Sequence, residues 1–146
     1  MSDLIEQPAD ELQAALEEVL MAAVNLHESG KLEEAESVYR SVIDAVPDNA
    51  QANYFLGLLL VQRNRVDEGL GFLRSAVVYR PTVPAYWYTY VEALIVGNRV
   101  DLAEAALAVA RDKGLSGPEY DALAGRIEVA RLATKQTVDA RASEPS

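Results

Sequence analysis

Apolar residues recur every three or four positions along most of the chain, in stretches that end at glycine, asparagine or proline. This spacing places apolar side chains on one face of an α-helix. The first stretch starts after Asp10, a candidate helix cap, and ends near Glu28, where Ser29 and Gly30 follow. The pattern therefore predicts an amphipathic helix from about residue 10 to residue 28.

Six further helices are predicted by the same reasoning. The second ends at Pro47, which cannot continue a helix, and Asp48 and Asn49 are turn and cap residues for the third. The fourth ends before Pro81, and the last begins after Gly117 and Pro118. The predicted helices cover residues 32–45, 52–63 and 66–79, then 84 to about 113 with a break at 97–98, and finally about 119–135.

The same arrangement is repeated with a fixed period. Pro47 and Pro81 are separated by one period of about 34 residues, and the breaks at Gly30, Asn64 and Asn98 follow the same interval. Asparagine tolerates the left-handed conformation that often ends a helix, so it replaces glycine there at little cost. A period of this length indicates a supersecondary unit used several times. Other residues in register are Ala76 with Ala110, and Gly57 with Val91 and Gly125.

The length and composition fit one domain. The chain has 146 residues, of which 50% are hydrophobic, so it can bury a core without disulfides. We expect a flexible N-terminal lead over residues 1–8, a single domain over 9–136 and a flexible tail over 137–146. The sequence starts without a secretory type of leader, and no apolar run approaches the ~18 residues of a membrane span. We therefore expect a cytoplasmic protein that does not enter a membrane.

The negative charge is concentrated near the N-terminus. Of a net charge of −10, residues 1–50 contain 12 acidic residues against Lys31 and Arg40, whereas residues 51–146 contain 11 of each sign. Such a surface repels nucleic acid and anionic lipids and favours basic partners. The alternative is that these charges only maintain solubility.

No residue pattern in the chain indicates catalysis. There is no cysteine, and His27 is the one histidine, so neither a thiolate nor a histidine pair is available for a metal. No nucleophile elbow, phosphate-binding loop or zinc-protease motif occurs. We expect no enzymatic activity, no cofactor and no metal, and we interpret His27 as a residue at the edge of a groove.

Three consecutive units carry a common set of positions, and these resemble the tetratricopeptide repeat family. The resemblance implies an all-α, right-handed solenoid of helical hairpins with about seven helices. It places the repeats at about residues 16–49, 50–83 and 84–117, with a capping helix over 118–136. Val42, Val91 and Asn53 depart from the pattern. The residues at the positions of the pattern are Val19, Ala22, Ala23, Leu26, Gly30, Ala35, Tyr39, Val42 and Pro47, then Leu56, Gly57, Leu60, Asn64, Gly69, Leu73, Ala76 and Pro81, and then Trp87, Tyr90, Val91, Leu94, Asn98, Ala103, Leu107 and Ala110.

The resemblance also implies a concave groove lined by the first helix of each repeat. Family members that hold a terminal carboxylate use lysine, arginine and asparagine in this groove, and none stands at these positions here. A carboxylate clamp is therefore disfavoured. The implied groove residues are Glu17, Leu20, Val24 and His27 in the first repeat, Gln51, Tyr54, Leu58, Val61 and Gln62 in the second, and Ala85, Tyr88, Glu92, Ile95 and Val96 in the third.

Aromatic residues are concentrated around the third repeat. Trp87 and Tyr90 match packing positions, so we interpret them as core. Tyr54 and Tyr88 stand at equivalent places one repeat apart, and exposed tyrosines are favoured contact residues. We expect this pair to contact a ligand, with Leu58 and Ile95 as the apolar floor.

These observations favour a non-catalytic interaction module that binds a peptide segment of a partner protein, one that carries basic residues, in an apolar, tyrosine-containing groove. Two alternatives stay open. The first is self-association as a homodimer, in which the acidic first repeat faces basic residues of a second copy. The second is an accessory subunit of an enzyme acting in trans, such as a glycosyltransferase. The basic residues considered for the homodimer are Arg74, Arg80, Arg99 and Arg126.

Overall fold

A computed structural model describes residues 2–143 of the chain, with side chains placed from residue 9 onward. The expected lead and tail therefore lie partly outside the described residues, at Met1 and at 144–146. Seven α-helices and no strand occupy the described part. They are α1 (Ser2–Glu28), α2 (Leu32–Ala45), α3 (Ala50–Gln62), α4 (Val66–Tyr79), α5 (Pro84–Val96), α6 (Val100–Asp112) and α7 (Pro118–Ala142).

The central helices match the predicted ones closely, and the two terminal helices are longer. α2 and α4 have the predicted bounds, and α3 starts two residues early because the Asn49 side chain caps it, accepting a hydrogen bond from the Ala52 N–H at 2.8 Å. α1 begins at Ser2 rather than after Asp10, so the helix runs through Pro8 and through the predicted cap residue. α7 extends beyond residue 135 to Ala142.

Each of the three hairpin turns has a residue in the left-handed conformation at the same position of the repeat. Gly30, Asn64 and Asn98 have φ angles of 82°, 65° and 58°. In each turn the next N–H donates back to the carbonyl four residues before the left-handed residue, as in a Schellman motif, at 2.7–2.9 Å. The predicted equivalence of glycine and asparagine at this place is thus confirmed. The three bonds run from Lys31 to Leu26, from Arg65 to Leu60 and from Arg99 to Leu94.

The start of each later hairpin is tied to the proline before it. The buried Asn53 side chain donates to the Pro47 carbonyl at 3.2 Å, and the Trp87 indole donates to the Pro81 carbonyl at 2.7 Å. Asn53 and Trp87 are one period apart, as are the two prolines. The asparagine that departs from the family pattern therefore makes the same contact as the tryptophan of the next repeat.

The hairpins stack side by side and curve. Within each hairpin the two helices pack together, and each first helix (α1, α3, α5) also contacts the first helix of the next unit, α7 being the last. The second helices (α2, α4, α6) have no such close backbone approach to one another in the part of the chain that the structure describes, although the Arg40 side chain of α2 reaches Glu68 of α4. The first helices therefore lie on the inner, concave side. The all-α helical-hairpin solenoid predicted from the repeats is confirmed.

The core is built from the same register in each hairpin. Tyr39, Leu73 and Leu107 stand at successive periods and are 0%, 0% and 4% exposed. The tightest approach is in the second hairpin, where a methyl group on Gly69 would lie 2.8 Å from the Gly57 carbonyl oxygen. Glycine at Gly69 lets α3 and α4 come this close.

Candidate functional site

The concave face is the inner side of α1, α3, α5 and α7, and polar contacts join these helices in succession. The His27 Nε2 lies 2.6 Å from the Gln62 Oε1 and joins α1 to α3. The Tyr54 and Thr89 hydroxyls, 3.3 Å apart, join α3 to α5. The joined residues are 35 residues apart in both pairs. The concave face is therefore held by contacts that follow the repeat.

The α5–α7 junction has an ion pair in the corresponding place. Arg126 donates to Glu92 at 3.0 Å, over a separation of 34 residues. Glu92, predicted as a groove residue, is thus exposed but already paired with a cation of the last helix. Sequence analysis did not assign Arg126 to the groove, although the register from Glu92 gives its position.

His27 of α1 is half-buried against α2 and α3. With Nε2 donating to the Gln62 oxygen, Nδ1 carries the lone pair and accepts from the Tyr39 hydroxyl at 3.3 Å. Tyr39 is fully buried, and burial, with the Glu28 carboxylate in addition, raises its pKa to about 12. His27 therefore anchors α1 to the next two helices. Within the described residues, no group of three or more metal-ligating side chains is present.

Tyr54 is engaged between two repeats. Its ring stacks on Tyr86 with 4.6 Å between centroids and packs against Phe55 at 5.3 Å. The ring is therefore held partly by protein rather than lying free in the groove. An alanine at this position would remove the stacking on Tyr86 together with any ligand contact, so the substitution would also affect the fold.

Tyr88 occupies the equivalent place in the next repeat and faces α7. It is half-buried, and burial raises its pKa, with the Glu119 carboxylate of α7 adding to the rise. Both tyrosines of the predicted pair therefore lie toward the following first helix. The core interpretation of Trp87 agrees with its 6% exposure, and Tyr90 is half-buried with a pKa that burial raises.

The other predicted groove residues differ in how much surface they offer. Leu20 is 2% exposed, so it is a core residue that only forms the floor of a cleft. The aliphatic residues Val24, Leu58, Val61 and Ile95 are half-buried, whereas the glutamines Gln51 and Gln62 are exposed.

A cleft opens between α1 and α3 at this face. We call it the α1–α3 cleft; its volume is about 290 Å³. Four of its residues are predicted groove residues, and the other two, Met21 and Phe55, lie next to predicted positions and carry no motif of their own. Its lining is Glu17, Leu20, Met21, Val24, Gln51 and Phe55.

A larger cleft of about 510 Å³ lies elsewhere, between the start of α6 and the second half of α7. It is lined by Val100, Val138 and polar residues, and it contains no predicted groove residue. Arg131 at its wall is paired with Asp101 at 3.1 Å and with Glu104. The cleft is therefore separate from the concave face.

Arg40, Arg63 and Arg65 form one ion-pair network at the α2–α4 side, next to the acidic first repeat. Glu36 accepts from Arg65 at 2.8 Å and from Arg63 at 3.3 Å. Hydrogen bonds from Arg40 and Arg65 lower the pKa of Glu68. Because the arginines are held there, most carboxylates that the structure describes in the first repeat and just before it stay exposed without an ion pair. These are Asp10, Glu11, Glu17, Glu18, Glu28, Glu34, Asp44 and Asp48.

Comparison with known proteins agrees with this architecture. Residues 20–86 match the family model described as tetratricopeptide repeat. Residues 20–86 are tetratricopeptide repeats. The predicted family is therefore confirmed. No curated protein sequence matches the chain.

Solved structures share the tetratricopeptide fold over most of the chain. The type III secretion translocator chaperone SycD of Yersinia enterocolitica is 20% identical, with a TM-score of 0.72 over 84% of this chain and 88% of that chain. SycD in complex with a peptide of the translocator YopD is 22% identical, with a TM-score of 0.67 over 85% and 95%. The TPR2B domain of yeast Sti1, in its pHsp70 complex, is 19% identical, with a TM-score of 0.70 over 77% and 95%. At these identities the likeness shows the fold.

None of the helices in the described part of the chain combines the length and the apolar character that crossing a membrane requires. The longest are α1, which carries acidic residues along its length, and α7, which carries both acidic and basic residues.

Proposed function

We propose that the protein is a non-catalytic adaptor that holds a segment of a partner protein on its concave face. One observation supports the proposal: the predicted groove residues Leu58 of α3 and Ile95 of α5 are half-buried aliphatic side chains, and the predicted groove residues Gln51 and Gln62 are exposed. A concave surface of this kind buries apolar side chains of a ligand while the amides bind its backbone.

The solved neighbours support the same use of the fold. SycD has been solved with a peptide of YopD, and PcrH with the chaperone-binding region of PopD. SycD is described as a chaperone, and PcrH is described in complex with the chaperone-binding region of PopD. Each structure covers more than four-fifths of this chain. We propose an analogous role here, in the cytoplasm, with a partner segment that carries basic residues.

The test replaces the aliphatic floor. A Leu58→Ser/Ile95→Ser double variant should lose at least about tenfold in partner recovery by affinity capture from the native extract, since two buried apolar contacts are removed from the ligand. Proteins recovered by the wild type and lost with this variant identify the partner.

The matched control changes two aliphatic residues of the second helices, Val78→Ser/Val109→Ser. Both are exposed, at 65% and 43%, so the control removes apolar surface away from the concave face. Recovery should equal that of the wild type. An identical set of proteins with all three baits, each folded by circular dichroism, would contradict the proposal.

Self-association is the second candidate because both terminal helices expose apolar side chains. Met21 is 66% and Val129 67% exposed. Surface of this kind on a small domain can pair identical chains. Light scattering at two salt concentrations tests this candidate, and a monomer at all protein concentrations contradicts it.

A further inference from the structure

The α1–α3 cleft is a depression of the concave face with an apolar floor. Its floor is Leu20, which is 2% exposed, and its walls are Val24 and Phe55, both half-buried. Its volume of about 290 Å³ lies at the low end of ligand pockets and suits a single large side chain rather than a whole small molecule. Met21, 66% exposed, stands at the rim as a flexible apolar contact.

The lining of this cleft includes one carboxylate, that of Glu17, which accepts a hydrogen bond from the Gln13 amide at 3.2 Å. Glu17 lines the cleft and also a neighbouring depression that contains Gln13, Asp48 and Arg80. Neither Glu17 nor Asp48 has an ion-pair partner within the described residues. A cationic side chain of a ligand could therefore pair with an exposed carboxylate that lies next to an apolar cleft.

The other end of the concave face differs. There Glu92 is already paired with Arg126 at 3.0 Å, and Tyr88 is half-buried toward α7. A basic ligand residue gains less at that end, because it would compete with an existing guanidinium. The face thus has a direction, with free negative charge at α1 and a neutral ion pair at α5 and α7.

Resting on the proposed function, we propose that the α1–α3 cleft is the anchor subsite of the groove. It takes one large aliphatic or aromatic side chain of the bound segment, and Glu17 pairs with a lysine or arginine that lies beside this side chain in the segment. The occupant is therefore an extended peptide with a basic residue next to an apolar one. Charge complementarity and the apolar floor together select it over an acidic or a purely polar segment.

The experiment uses a random dodecapeptide library displayed on phage, with the full chain as bait. We expect the enriched peptides to carry Lys or Arg within two positions of Leu, Ile, Met or Phe. One enriched peptide is then synthesised with a fluorophore, and its affinity is measured by anisotropy for the wild type and for three single variants.

Two variants address the subsite and one is the control. Glu17→Lys should weaken binding about tenfold and Met21→Gln about threefold, because the first reverses the rim charge and the second removes apolar contact. Glu34→Lys makes the same charge change at an exposed residue of α2, off the concave face, and should leave the affinity within about twofold. All three positions are exposed, so the variants should fold like the wild type.

The outcomes separate this inference from the function on which it rests. Loss of affinity with Leu58→Ser/Ile95→Ser but not with Glu17→Lys would keep the groove and overturn the subsite. Equal loss with Glu17→Lys and Glu34→Lys would reduce the effect to overall charge and also overturn it. If no peptide is enriched, both proposals fail. If the wild type is a dimer and Met21→Gln dissociates it, the cleft binds a second copy of the chain, and the proposal is wrong.

Discussion

Gly57 and Gly125 stand two periods apart, at the same place in the repeat, and their surroundings are opposite. A methyl group on Gly57 would lie 2.7 Å from the Leu73 side chain, whereas nothing lies within 4 Å of the corresponding point at Gly125. The difference is the second helix, which α3 has in α4 and which α7 lacks within the described residues. The same residue in the same register is thus a packing requirement in one unit and a neutral position in the other.

α7 is adapted to the missing neighbour. Leu60 and Leu94, one period apart, are 0% and 2% exposed, and the next position in register is the exposed Glu128. A polar residue on the face that would receive a further helix lets that face meet water at the end of the stack.

The largest effect that we expect is a loss of stability at high pH, caused by the buried Tyr39 of the first hairpin. The raised pKa of Tyr39, about 12 against an ordinary 10.0, means that the folded chain holds this proton after the unfolded chain has released it. Below pH 10 the hydroxyl is protonated in both states and contributes no difference. As the pH rises from about 10 to about 12, stability falls by up to about 3 kcal/mol, since each pKa unit corresponds to about 1.4 kcal/mol.

The measurement is urea unfolding between pH 9 and pH 12 for the wild type and Tyr39→Phe. The phenylalanine variant keeps the ring and has no proton to lose, so its stability should fall less over this interval. Parallel curves for the two proteins would show that Tyr39 does not ionise differently in the folded state.

The comparison of the two glycine environments can be tested directly with Gly57→Ala and Gly125→Ala. At Gly57 the new methyl group meets the Leu73 side chain at 2.7 Å and the Gly69 carbonyl oxygen at 3.0 Å, so we expect a loss of about 1–3 kcal/mol. At Gly125 it meets nothing, and the higher helix propensity of alanine should stabilise the protein by about 0.5–1 kcal/mol. Free energies of unfolding from urea titration decide the matter. If both variants gain stability, or both lose it, the contrast between the two glycine environments is wrong.

The repeat and its turns could be predicted from the sequence because they depend on local chemistry. Gly30, Asn64 and Asn98 identify the left-handed turns, and Pro47 and Pro81 identify the ends of second helices. The length of α7 was underestimated, although Leu132 stands in register with Asn64 and Asn98. Without a residue suited to the left-handed conformation at that place, the helix continues to Ala142.

The site was predictable as a set of positions but not as a surface. Periodicity placed Leu20 and Tyr54 on the correct helices, yet it could not show that Leu20 is buried or that Tyr54 stacks on Tyr86, because both depend on how far neighbouring repeats close on each other. The ion pair of Glu92 with Arg126 joins α5 to α7 and follows from the same register. Extending the period into the capping helix would have found it.

The measurement that tests the central claim most directly is methyl NMR of the chain with isoleucine, leucine and valine labelled, titrated with an enriched library peptide. Binding on the concave face predicts shifts and line broadening for Leu58 and Ile95 of the first helices, with Val78 and Val109 of α4 and α6 unchanged. Shifts confined to Val78 and Val109 would place the ligand on the second helices and contradict the account.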